Sequence, residues 1–259
     1  MEEALYDTHS LRGFAGIELG ADNIPDENTI LNFRHLLERH RLTEEFFEVV
    51  NKELVRQGIL LKKGTIVDAT IIKAPSSTKN AKKVRDPEMK QTKKGNQWYF
   101  GMKAHIGADS RTGLVHSLTT TPANEHDSTE FENLLHGKER AVYGDKAYAN
   151  TRKKMNFSRR GIAWRIARKA SPGKAISEKD RHWNRHHSKV RALGEHAFGV
   201  IKCRWRYTKV RYKGLAKNTA QLFSLFLNSL SFHERAAGSR GWKRAKTQQE
   251  RSGPSPELR

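Results

Sequence analysis

The segment "TIVDATII" (residues 65–72) constrains this chain more than any other. Its β-branched residues and nearly unbroken apolar run fit a central strand covered on both faces. Asp68 stands in the middle of that strand. An ionised carboxylate there is costly unless something positive compensates it, so the sequence implies a cation beside Asp68. A second apolar run, "RAVYGD", ends in Asp145, and Gly144 is expected to keep its neighbourhood open to a ligand. If the two strands are neighbours in one sheet, both carboxylates converge at one edge and leave room for a third.

Glu195 is the natural third. It lies in "VRALGEHAFGVIK", within residues 183–206, which the pattern reads as helical. At about 100° per residue, Arg191 falls roughly 40° from Glu195 on the helical wheel and Lys202 roughly 20°. Leu193, Ala197 and Val200 occupy the opposite side. One acid flanked by two bases suits a carboxylate that holds a divalent ion while its neighbours hold phosphates. Two aspartates and a glutamate are the oxygen donors that magnesium prefers, and two ions roughly 3.5–4 Å apart can activate a nucleophile and stabilise a leaving 3′ oxygen in phosphodiester chemistry. Manganese is an acceptable substitute. Without metal, three clustered carboxylates repel one another, so the site is expected to organise only when metal binds.

The remaining pattern places this trio in a mixed α/β fold. "NIPDENTILNFRHLLERH" reads as a helix capped by Asp22 or Asn23, with Ile30, Phe33 and Leu37 on its buried side. A second helix is expected after a Thr43 cap, burying Phe46, Phe47, Val50 and Leu54. After "TIVDATII" comes a lysine-rich loop (73–97), then "WYFGMKAHIGAD" and "LVHSLTTT" as a hairpin. "EHDSTEFENLLHG" reads as a short helix, "GIAWRIAR" as a fifth strand and "AKNTAQLFSLFLNSLSFHER" as a final apolar helix. This order gives a mixed sheet flanked by helices and preceded by a small helical module. The expected divisions are 1–62 for that module, 63–235 for the α/β domain and 236–259 for a disordered basic tail.

Charge names the partner class. The chain carries a formal net charge of +21 and a pI near 10.2. Residues 1–64 hold eight lysines and arginines against twelve acids, a charge of −4 that leaves +25 for the rest. Residues 151–217 alone hold 21 basic residues and three acids, enough for many phosphate contacts. A polyanion, nucleic acid, is the implied partner, contacted by the second part of the chain rather than by the acidic module. A single cysteine, Cys203, permits no internal disulfide, and the start lacks the basic flank and apolar run of a signal peptide. The reading is a soluble intracellular protein with no membrane partner.

The set "VDATIIKAPSS", "YFGMKAHIGADSRTGLVHS", "TPANEHDS", "YGDKAYAN" and "VRALGEHAFGVIK" resembles the DDE transposases of bacterial insertion sequences, specifically the insertion-sequence-five group. The resemblance covers about residues 1–230. It implies a ribonuclease H-like catalytic domain, two magnesium ions, and cut-and-join chemistry on terminal inverted repeats and target DNA. A homodimer holding two ends and a place at the bacterial nucleoid follow from the same resemblance. On that match Asp68, Asp145 and Glu195 carry the three acidic positions. The family signature of tyrosine, arginine, glutamate and lysine is met at Arg191, Glu195 and Lys202, while Ser188 stands at the tyrosine. The DNA contacts expected are Arg191, Lys202, Lys146, Arg204, Arg206 and Lys103. "MEEALYDTHSLRGFAGIELG" resembles the interior of the family's N-terminal domain, so segments that usually precede it are expected to be missing. Only 49 residues separate Asp145 from Glu195, too few for a large inserted subdomain.

Plainer readings stand beside these. Arg191 and Lys202 could be ion-pair partners of Glu195 on a solvated helix. His182, His186 and His187 invite zinc, but no cysteine or acid at fitting spacing completes four ligands. His126 and Asp127 fit a cap or a supporting role better than a metal role. Trp98, Trp183 and Trp205 fit core packing first and stacking on unpaired bases second. A stand-alone nuclease of the same fold and a non-catalytic DNA-binding protein are the rival functions.

Overall fold

A computed structural model of the chain describes residues 2–79, 81, 83–170 and 173–230. The expected basic tail at 236–259 lies outside the described residues. Four helices open the chain: α1 (Glu2–Asp7), α2 (His9–Ala15), α3 (Glu27–Arg39) and α4 (Leu42–Arg56). The cap of α3 is Asp26, which accepts the Thr29 N–H at 2.7 Å, rather than Asp22 or Asn23. Asp22 is already engaged one turn earlier by the Glu18 N–H. Thr43 does not cap α4 either. The link between the helices is so short that Arg41, in the left-handed region at φ 53°, starts α4 and leaves Thr43 buried inside it.

The sheet comprises β1 (Gly64–Lys73), β2 (Lys90–Lys94), β3 (Gln97–Asp109), β4 (Val115–Pro122), β5 (Ala141–Gly144) and β6 (Ala163–Ile166). β1 is central: β3 runs antiparallel on one side of it and β5 parallel on the other. β4 pairs antiparallel with β3, and β6 pairs parallel with β5. The path β4-β3-β1-β5-β6 is the strand order of a ribonuclease H-like sheet, and the mixed α/β expectation holds. β2 lies inside the stretch read as a lysine-rich loop. It pairs with residues 97–101 of β3 through a two-residue turn whose first position, Gly95, has φ 61°.

Alternation along β1 sends Ile66 and Ile72 to one face and Val67 to the other. On the first face Phe47 and Leu54 of α4 pack with Met102, Ile106, Phe198 and a helix over residues 215–230. Phe33 and Phe46 do not join this core, being 59% and 46% exposed. On the second face Phe131, Leu134, Phe157 and Ile166 surround Val142. Phe131 and Leu134 reach that core without the short helix expected of "EHDSTEFENLLHG". Only a 3-10 turn forms, at Asp127–Thr129, before Gly137 (φ 84°) and the Glu139 carboxylate, which takes the His136 N–H, direct the chain into β5. The remaining elements are α5 (Thr151–Arg159) and α6 (Glu178–Gly199), the latter passing into a π-helical turn at Val200–Arg204. Among the described residues no helix is long and apolar enough to cross a membrane.

Two buried histidines tie the sheet to pH. His105 pairs with Thr121 at 2.8 Å and His116 with Thr65 at 3.2 Å. Burial pushes their pKa values down from 6.5 to about 4 and about 3. The unfolded chain therefore takes up these protons first, so their contribution is fully present above about pH 6.5 and is lost as pH falls towards 4 and then 3. A His105→Gln variant is expected to remove up to about one proton, or about 1.4 kcal/mol per pH unit, from the acid slope of stability between pH 6.5 and 4. Denaturant melts across that range check it.

Candidate active site

β5 accompanies β1 only over Gly64–Ile66, where it registers with Ala141–Tyr143. β1 runs on to Lys73, so from Asp68 its edge is uncovered on that side until Lys73 pairs with residues 208–210. This notch is the floor of a cleft of about 580 Å³ lined by Asp68, Thr70, Lys103, Asp127, Asp145, Tyr148, Glu195 and Lys202, among others.

Each acid arrives by a different device. Asp68 is held by its strand, and its Oδ1 accepts the Ala69 N–H at 2.8 Å. Asp145 follows the last residue of β5 and caps the 3-10 turn Lys146–Tyr148, accepting the Ala147 N–H at 2.7 Å. Tyr148, buried in the second core, anchors that turn. Gly144 does not open space for a ligand as the sequence suggested. An added Cβ there would lie 2.9 Å from both Ile166 Cδ1 and Val67 Cγ2, so the glycine admits core side chains. Glu195 comes from α6, and the residue before it sets the helix position. A Cβ on Gly194 would sit 3.1 Å from Ile66 Cγ2 and 3.5 Å from Asp68 Cβ. Sequence reasoning missed Gly194, although a glycine inside a helix next to a candidate acid was visible.

The electrostatics follow from this geometry. Burial first, then Asp145, Glu195 and Asp127, push the Asp68 carboxyl up from 3.8 to about 7. Among the described residues no lysine or arginine forms an ion pair with Asp68, Asp145 or Glu195. Nor do any three acidic, histidine or cysteine side chains among them stand as a ready-made ligand set. Uncompensated carboxylates repel one another, and an oxygen-seeking divalent cation is the kind of ion that would offset that repulsion. The donors are all oxygen, which fits a hard ion such as magnesium.

Asp127 was expected to cap or support, and the 3-10 turn it begins is capped by His126 Nδ1, which accepts the Ser128 N–H. Asp127 itself lines the cleft and pairs with Lys103 Nζ at 2.8 Å. Of the six expected DNA contacts, Lys103 and Lys202 line the cleft. Lys103 also donates to the Glu125 carbonyl at 2.6 Å. Lys202 Nζ donates to Thr70 Oγ1 at 2.6 Å, and burial, then Lys94, lower its pKa. It sits in the π-helical turn, whose wider winding departs from the simple helical wheel. Lys146, Arg204 and Arg206 are exposed outside the cleft lining, and Arg191 is half-buried there, its Nε without a hydrogen-bond partner among the described residues. Ser188 Oγ donates to the Arg185 carbonyl within the helix.

The histidines gather elsewhere. His182, His186 and His187 line a separate pocket with Trp183, against which His187 stacks at 4.3 Å, and His187 Nδ1 donates to the Trp183 carbonyl. Trp205 packs against the first core, whereas Trp98 is 64% exposed, against the expectation of core packing.

Residues 60–230 match the family described as the transposase DDE domain. Among solved structures, the chain is similar to a cryo-EM structure of the piggyBac transposase synaptic complex with hairpin DNA, at 10% identity and a TM-score of 0.42. That similarity covers 84% of this chain and 56% of that one.

Proposed function

The chain belongs to the DDE-domain transposase family, and from that premise we propose that it cuts the 3′ strand at the ends of a DNA element and joins the freed hydroxyl to target DNA. The observation that carries this reading is the convergence of Asp68, Asp145 and Glu195 on one cleft, without a paired cation among the described residues. The three would hold two magnesium ions, or manganese, which when bound activate the attacking oxygen and stabilise the leaving one. The protein's own part is to aim the carboxylates from a strand, a strand end and a helix, and to hold DNA backbone with the basic surface after residue 64. Lys202, at the cleft wall beside Asp68, is placed to meet a phosphate. Further proposals, resting on the sequence resemblance, are membership of the insertion-sequence-five group, a bacterial source, terminal inverted repeats as substrate and a dimer that holds two ends.

The test is an end-processing assay with duplexes carrying the terminal repeats that flank the coding sequence. Magnesium-dependent 3′ nicking, and joined products from a pre-cleaved end, are expected; chelation abolishes both while DNA retention persists. Nicking without joined products indicates a nuclease. Retention with no cleavage at any metal concentration indicates a binding protein.

A further inference from the structure

The β2–β3 hairpin is an arm that the sheet does not need. On the N-terminal side of Gly101, β3 loses its partners β1 and β4 and, apart from the Phe100 carbonyl taking the Ala74 N–H at 2.8 Å, pairs with β2. Gly101 marks the junction, since a Cβ there would lie 2.1 Å from the Ile72 carbonyl oxygen. Residues 90–98, "KQTKKGNQW", carry three lysines and no acid. Lys93 and Trp98 stand directly opposite in the antiparallel register, hence on the same face of the arm, with Lys93 Nζ 6.0 Å from the Trp98 ring centroid. Thr92, Lys93 and Lys94 line the carboxylate cleft, and Trp98 exposes 64% of its surface beside them.

An indole exposed to this degree, beside lysines that line a cleft of mixed carboxylates and lysines, adds little to the core. Its flat face suits a π-system of similar size, and the lysines suit phosphates on either side of it. A protein partner would be expected to bring acids to three lysines, but those acids would then face Asp68, Asp145 and Glu195 across the cleft. A nucleotide strand satisfies both surfaces once cations sit on the carboxylates.

We propose that the β2–β3 hairpin is a base-stacking arm, in which Trp98 stacks on an unpaired base at a DNA end while Lys93 and Lys94 hold the adjoining phosphates. The inference rests on the cleft processing DNA, and it adds a requirement for unpaired bases. Trp98 is then a positioning residue that fixes where a strand end lies relative to the cleft.

Binding of labelled oligonucleotides in calcium, an oxygen-seeking divalent ion that can occupy the carboxylates, separates the possibilities, using one duplex with three unpaired terminal bases and a fully paired duplex of the same sequence. The wild-type chain is expected to bind the unpaired-end duplex more tightly. Trp98→Ala is expected to lose about tenfold on that duplex and less than about twofold on the paired one, with Trp98→Tyr recovering most of the loss. Because Trp98 is exposed, an unchanged melting temperature is expected for each variant. If Trp98→Ala binds both duplexes as the wild type does, the stacking arm is wrong while the DNA-processing reading stands. Should the wild type retain neither duplex, the DNA reading falls and the arm with it.

Discussion

Asp68→Asn is expected to abolish metal-dependent strand cleavage, by at least about 10³-fold, and at the same time to stabilise the metal-free protein. The first effect follows from removing a carboxylate that a divalent ion needs; about 4 kcal/mol of transition-state stabilisation corresponds to that loss. The second follows from the position of Asp68 in a sheet, where burial and three neighbouring acids push its carboxyl up to about 7. A carboxyl with a raised folded pKa contributes most to stability below its unfolded value, near pH 4, and that contribution is lost as pH rises through about 7. At pH 8 the wild type therefore carries a buried, repelled charge that asparagine lacks. The expected gain is about 2 kcal/mol, or about 4–8 °C in melting temperature for a domain of this size. The gain should shrink as pH falls from about 7 and vanish near pH 4, where Asp68 is protonated in the folded and the unfolded chain alike. A variant that loses activity and stability together at pH 8 would indicate that Asp68 holds the strand rather than a metal.

Gly194→Val is expected to lower the rate by about 100-fold or more with far less harm to the fold. A Cβ at residue 194 already meets Ile66 Cγ2 at 3.1 Å and Asp68 Cβ at 3.5 Å. Two further methyls force α6 away from β1, and Glu195 moves with the helix. A misplacement of about 1 Å in a reacting constellation costs on the order of 10²-fold. Overpacking costs about 1–3 kcal/mol of stability. Cleavage rates under saturating magnesium, alongside denaturant melts, separate the two effects. Ala192→Val serves as the control, because Ala192 is exposed on the same helix and does not line the cleft. Equal losses in both variants would show that any β-branched residue in this helix is harmful and that the Gly194 approach is not special.

The sequence made the frame of this site readable because its strongest signals were local. The β-branched run around Asp68, the strand before Asp145 and the hairpin of β3 and β4 each follow from short-range pattern, and each appears where expected. What escaped depends on what lies across space. β2 is a strand because β3 extends past the sheet body and offers it a partner; lysines at 90, 93 and 94 hide the alternation, and only the Gly95–Asn96 turn betrayed it. The buried side of Gly144 and the close approach at Gly194 are properties of neighbouring elements. The cap of α4 depended on a helix link too short to see in composition, that of α3 on the Glu18 N–H already holding Asp22, and the π-helical turn at Val200–Arg204 has no periodic signature. Trp98 was judged by the usual fate of tryptophan, which an arm without a core does not share.

Manganese anomalous scattering from crystals of the wild-type chain tests the central claim most directly. The account expects one or two peaks in the notch where β5 stops and β1 continues, with carboxylate oxygens of Asp68, Asp145 and Glu195 turned in to ligate them at about 2.0–2.2 Å. Peaks elsewhere, or a metal at the notch that leaves Asp145 or Glu195 unligated, would contradict it.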